Sequence, residues 1–281
     1  MLVGVVGMGG WAGLARRSAD SAAVLCGHSA VAKHLDLSWL REGEGEGEGE
    51  GRASRSTGGG TLGGTGGQKP VPIASVGKVM TAYVILRNTR SRAARPGPRI
   101  AVDAAAAAER EAYSSDESSA PVRAGQQLTE RHLLELLLLP SGNNIARLPA
   151  RWDAVSQEVF AAKMNRTARD LGMSHTTDTG ASGIEATTTS TADDQLKPAR
   201  QAIKQPVLRA VVAQRSVTGP TMPGPVTNTL LDRPGVIGLK TGSSTPAGGN
   251  LMWAVEVTSG AKHCLVLGAS GARRADTGVP G

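Results

Sequence analysis

Three short apolar runs near the end of the chain constrain the fold more than any other feature: GVIGLKTGSS (235–244), LMWAVEV (251–257) and HCLVLGA (263–269). Each has the length of a strand, and the breaks between them hold turn-forming residues, so they read as consecutive antiparallel strands. A sheet of this kind must bury a face, and the upstream sequence supplies helices to cover it. LTERHLLELLLLPSGNNIA (128–146) is the strongest: Thr129 starts the helix, leucines dominate one side, and Pro140 stops it before a polar turn. SQEVFAAKMNRTARDLGM (156–173) forms another, ending at Gly172, and TTTSTADDQLKPARQAI (187–203) begins a third with Ser, Thr and Asp available as caps. IAVDAAAAAEREAY (100–113) reads as a short strand passing into Ala-rich sequence.

Composition narrows the function classes. With 281 residues and 40% hydrophobic content the chain can bury a core, but aromatics make up only 2%, so that core rests on Ala, Val and Leu. Such a chain does not suit nucleic-acid binding by base stacking. Its net charge of +7 is compatible with an anionic partner such as cell-wall polymer, lipid headgroups or nucleic acid, although scattered arginines more often serve a solvated surface. Cys26 and Cys264 stand far apart and the five histidines have no ligand spacing, so no metal site, cofactor or disulfide framework is implied; a single Cys26–Cys264 disulfide stays open, with Cys264 in the strand HCLVLGA reading as a buried small hydrophobe. The first 40 residues are Ala/Gly-rich, read as a segment of unclear role, and carry no convincing export signal, because no basic residue precedes the apolar start. The repeat EGEGEGEGEG and the glycines that follow read as a flexible linker over 41–68. Gly77-Lys78 is no phosphate loop, because Val79 follows the lysine and Pro72 stands where a glycine is needed.

The stretch IASVGKVMTAYVIL (73–86) places Ser75 three residues before Lys78 at the start of an apolar helix. Serine there is a natural cap, and Val76, Val79, Met80, Tyr83 and Leu86 recur at helical spacing. Residues three apart also share a face, which sets the Lys78 amine beside the Ser75 hydroxyl as a base beside a nucleophile. Both readings stand on this stretch alone. A second Ser-x-x-Lys, Ser259 to Lys262, falls in a hairpin turn and gains no helix face.

Two further polar motifs follow in order: Ser141-Gly142-Asn143 in the turn after the leucine-rich helix, and Lys240-Thr241-Gly242 ending the first of the three strands. With Ser75-x-x-Lys78 they make a combination far more specific than any one of them. On these motifs, and on the segments around them from Gln68 to Gly268, the chain resembles the serine-type D-alanyl-D-alanine carboxypeptidases, the low-molecular-weight penicillin-binding proteins. The resemblance implies an α/β (α+β) fold of the β-lactamase and transpeptidase type: an antiparallel sheet flanked by helices, with an all-helical subregion. The serine peptidase domain is expected over 69–270 with a tail at 271–281, and no amphipathic helix is legible after the last strand to cover the sheet.

The resemblance also implies roles. Ser75 is the nucleophile, Lys78 its base and Ser141 the proton relay to the leaving group. Asn143 orients Lys78 and the substrate backbone, Lys240 stays charged to meet the terminal carboxylate, and Thr241 helps hold it. Gly242 lets the substrate approach the strand edge, and the backbone N–H groups of Ser75 and Ser243 form the oxyanion hole. The implied partner is a peptidoglycan stem peptide, with β-lactam antibiotics as covalent inhibitors, at an extracytoplasmic site with peripheral membrane or cell-wall association. A β-lactamase is the weaker enzyme reading, because Glu158 and Glu185 lack the Glu-x-x-x-Asn context. An inactive peptidoglycan-binding homologue is the non-enzymatic one.

Overall fold

The computed structural model describes residues 20–24, 61–64, 69–89, 99–112, 117–154, 156–217, 226–259 and 262–271. The strands among them are β1 (Asp20–Val24), β2 (Thr61–Gly64), β3 (Val71–Pro72), β4 (Arg99–Ala101), β5 (Gln127–Thr129), β6 (Thr189–Ser190), β7 (Val236–Ser244), β8 (Gly248–Ser259) and β9 (Lys262–Gly271). The helices are α1 (Lys78–Thr89), α2 (Ala104–Ala112), α3 (Glu130–Leu138), α4 (Asn143–Ala154), α5 (Gln157–Asp170), α6 (Ala192–Ile203) and α7 (Pro206–Val212).

The three apolar runs are β7, β8 and β9, paired antiparallel in that order, and Ser259 faces Lys262 across the β8–β9 hairpin. The full sheet runs β2-β1-β9-β8-β7, so β7 forms one edge. Its other side departs from the sequence reading: β1 and β2 come from stretches read as a segment of unclear role and a flexible linker. Propensity disfavours a glycine-bearing strand such as TLGG, but pairing overrides it, because β1 lies between β2 and β9 and bonds to both. The expectations about Cys26 and Glu42–Gly51, the side chain of Cys264 and any element after Gly271 fall outside the described residues.

Helix α6 lies on the sheet against β1, β8 and β9, and α1 packs on α6 from the other side. Beyond α1 stand α3, α4 and α5, the helical subregion. Helix α1 is therefore enclosed nearly all round: Val79, Met80, Ala82, Val84, Ile85 and Leu86 are all buried, which is what an apolar helix without a polar face requires. Thr129 and Thr191 cap their helices as the sequence reading expects, and Ser156 caps a third. Thr129 accepts from the His132 N–H at 3.1 Å, Ser156 from Val159 at 3.3 Å and Thr191 from Asp194 at 3.2 Å. Helix α5 gives way at Gly172, whose φ of 73° suits glycine. The turn after α3 is shorter than the sequence implies, for Asn143 already opens α4, a helix that continues through Pro149.

One buried amide ties this turn to the helical layer. Asn144 accepts from the Ala120 N–H at 3.0 Å and donates to the carbonyls of Ala106 at 3.0 Å and Ala120 at 2.9 Å. Asn144→Ala removes all three bonds and strips the N–H and carbonyl of buried Ala120 of this side-chain partner. The expected cost is about 2–4 kcal/mol, read as a lower urea midpoint with an unchanged slope.

Candidate active site

Ser75 is not a helix cap. It lies inside a 3₁₀ turn, Ala74–Gly77, that leads into α1, and the cap position belongs to Ile73, which makes no side-chain cap bond. In a 3₁₀ turn the side chains at i and i+3 eclipse one another, which brings Ser75 and Lys78 closer than an α-helical turn would. The Lys78 Nζ donates to Ser75 Oγ at 2.6 Å and to Asn143 Oδ1 at 2.6 Å. Ser75 is 7% exposed and Lys78 0%. A buried lysine costs least when neutral, and burial sets Lys78 well below its ordinary range. The charges of Lys240 and Arg147 push it further down, while Glu185 and Glu117 partly restore it.

The turn is held in an uncommon backbone shape. Ala74 has φ 47° and Ser141 φ 64°, the two non-glycine residues with positive φ among those described, and they flank Ser75 and the Ser141–Asn143 segment. Behind the turn passes the loop after α5. Gly183 in that loop has φ 75°, and a Cβ there would lie 2.3 Å from the Ala74 carbonyl oxygen, so only glycine fits. Thr81 of α1 fastens the same loop by donating to the Ala181 carbonyl at 2.6 Å.

Edge strand β7 closes the third side. Lys240 and Gly242, two residues apart, share a strand face, and it is turned toward Ser75. A Cβ on Gly242 would stand 2.8 Å from the Val76 nitrogen and 3.0 Å from the Ser75 nitrogen, so the strand can lie against the turn because this residue is glycine. Lys240 is 1% exposed, and its Nζ donates to the Thr241 carbonyl at 2.7 Å. Burial brings its amine down to about 7, so in the ligand-free cleft it is only partly charged at neutral pH. Thr241 Oγ1 donates to Thr227 Oγ1 at 2.8 Å, and the Thr227 N–H donates to the Leu139 carbonyl at 3.0 Å, linking β7 to the end of α3. Ser243 continues the strand and is exposed.

The structure thus joins Ser75, Lys78 and Asn143 by direct bonds, keeps buried Ser141 in the segment that carries Asn143, and sets Lys240, Thr241, Gly242 and Ser243 on the facing edge. Glu158 is exposed at the start of α5, remote in role from this group, whereas Glu185 bears on Lys78 through its charge. Sequence reading missed Glu117, Arg147, Thr227 and Gly183. Of these only Arg147 left a signal, four residues after Asn143 and so on the same face of α4. Among the described residues no group of three His, Cys, Asp or Glu could hold a metal ion.

Taken as a whole, the chain is similar to known proteins. The chain is 38% identical over 134 residues to the D-alanyl-D-alanine carboxypeptidase DacB2 of Mycobacterium tuberculosis, an alignment covering 45% of this chain and about half of that protein, 46%. It is similar to the crystal structure of the Streptomyces K15 DD-transpeptidase, with a TM-score of 0.67 and 29% identity over 77% of this chain and 86% of that one. Penicillin binding protein 6B from Escherichia coli superposes with a TM-score of 0.69 and 25% identity, over 79% of this chain and 70% of that one. The profile of the D-alanyl-D-alanine carboxypeptidase family, peptidase family S11, matches residues 58–271, which take in β2, β9 and every element between them, and the chain belongs to that family.

Proposed function

We propose that this protein is a serine D-alanyl-D-alanine carboxypeptidase that removes the terminal D-alanine from peptidoglycan stem peptides and is acylated by penicillin at Ser75. The observation that carries this reading is the 2.6 Å contact between the Ser75 hydroxyl and a fully buried lysine amine held below its ordinary range. A serine hydroxyl is a weak nucleophile, and a neutral amine at hydrogen-bond distance is the base it needs.

In the proposed reaction the stem peptide lies along the free edge of β7 as an added strand. Its terminal carboxylate meets Lys240 and the Thr241 hydroxyl, and this counterion holds on Lys240 the proton that burial otherwise loosens. Ser75 Oγ attacks the carbonyl carbon of the penultimate D-alanine and passes its proton to Lys78 Nζ. The oxyanion is held by the backbone N–H groups of Ser75 and Ser243. As the C–N bond breaks, the leaving D-alanine nitrogen takes a proton through Ser141 Oγ. A water molecule then attacks the ester and frees Ser75, its proton returning by way of Lys78. This substrate lies outside the cytoplasmic membrane, so an extracytoplasmic location and association with the wall belong to the same proposal.

Incubation with benzylpenicillin followed by intact-mass measurement tests the reading directly. One adduct per chain is expected, mapping to the peptide that holds Ser75 and missing from Ser75→Ala. A folded parent chain that takes up none would reject it in favour of a non-catalytic binding role. Continuous turnover of a cephalosporin would instead favour a β-lactamase.

The second-order acylation rate carries a pH signature. It rises on the acid side as Lys78 loses its proton and falls above about 7 as Lys240 loses the charge that draws the carboxylate. Lys240→Arg, whose guanidinium stays protonated, removes the falling limb. Gly242→Ala pushes β7 off the Ser75 turn and is expected to slow acylation about 100-fold while the chain stays folded.

A further inference from the structure

Beyond Asn143 the bonds from Ser75 and Lys78 continue to a carboxylate that sequence reading did not single out. Asn143 Nδ2 donates to Glu117 Oε2 at 2.9 Å, and Arg147 Nη2 reaches the same oxygen at 3.4 Å. Arg147 also bonds Glu109 at 3.4 Å through its other terminal nitrogen, so it is braced from two sides. The segment that carries Glu117 is stitched to the start of α4: the Asn143 N–H donates to the Ser118 carbonyl at 2.8 Å, and Asn144 bonds both backbone groups of Ala120. Glu117 is therefore held in place by backbone bonds as well as by its own contacts.

We propose that Glu117 is a positioning residue of the Ser75 centre: its carboxylate fixes the amide of Asn143 so that Oδ1 faces Lys78. The inference rests on the reading of Ser75 and Lys78 given under Proposed function. The reason is geometric. An asparagine amide can turn over, and each orientation presents a different atom to Lys78. A carboxylate accepts only, so Glu117 favours the orientation with Nδ2 toward itself and Oδ1 toward the amine. A neutral amine has two N–H groups and one lone pair. With one N–H anchored on Asn143 Oδ1, the lone pair can point at the Ser75 hydroxyl. With the amide turned over, Nδ2 would compete for that lone pair and the base would be spent on the wrong partner. Glu117 touches neither substrate nor nucleophile, so it acts through Asn143.

The test compares benzylpenicillin acylation of the whole chain with that of Glu117→Ala, Glu117→Gln and Asn143→Ala, and of Asn143→Ala combined with Glu117→Ala. Loss of the acceptor in Glu117→Ala is expected to slow the acylation step about 30-fold with noncovalent affinity unchanged. Glutamine keeps an acceptor for Nδ2, so Glu117→Gln should stay within about threefold of the parent. In the Asn143→Ala background Glu117→Ala should cost less than about threefold, because the route through Asn143 is gone and only the pull of its charge on Lys78 remains. Full cost in that background, or no cost in the parent, overturns the proposal. Should Glu117→Ala fail to fold, the glutamine variant decides through Lys78. The charges bearing on that amine are Lys240, Arg147, Glu185 and Glu117, and removing the last must move its titration to lower pH. The midpoint is read from the Lys78 Cε resonance in the ligand-free protein. A downward shift that shrinks in the Asn143→Ala background supports action through Asn143, and a shift of the same size there, or none in the parent, rejects it, even if the parent takes up no penicillin and the activity reading itself fails.

Discussion

The burial of one lysine amine governs the architecture around it. Lys78 lies at the first position of a helix enclosed by protein, where a charge would be expensive, and its bonds to Ser75 and Asn143 satisfy the amine without supplying a counterion. That arrangement leaves a neutral base as the cheap state. It also demands that Ser75, Lys78 and Asn143 come together from a 3₁₀ turn and two helices, so much of the packing can be understood as holding those elements in register.

Two lysines with depressed titration share this cleft, yet the causes differ. Lys78 is lowered by burial and by the like charges of Lys240 and Arg147, whereas burial alone accounts for Lys240. The difference suits a division of work in which one amine is kept neutral and the other awaits an anion. Because Lys240 lies on the edge strand, an anion that reaches it can bring a peptide backbone along the same edge. Gly242 makes this possible by letting the strand run within contact of the Ser75 turn.

The helical side does a different job. Asn144 is bonded entirely to backbone, while its neighbour Asn143 faces Lys78 on one side and Glu117 on the other. Adjacent residues of one type thus divide between architecture and site, and the split comes from which face of the first turn of α4 each occupies. The positive φ at Ser141 belongs to the same turn, and the surrounding backbone bonds are what keep such a conformation populated.

Local pattern made the helices, their caps and the three antiparallel strands legible, because apolar period and capping chemistry act over a few residues. It also marked Ser75, Lys78, Ser141, Asn143 and Lys240–Ser243 through short motifs, although only their conjunction separated them from ordinary caps and turns. Helix α4 was hidden by the proline inside it and β2 by its glycines, since in both cases tertiary contacts outweigh propensity. What the sequence by itself determined is the inventory: the element types, their order and the chemical groups available. The tertiary structure alone decided that Lys78 is buried, that Glu117 meets Asn143 across 26 positions of chain, and that β7 is an edge. Burial, long-range bonding and strand order are properties of the packed whole, and no local period records them.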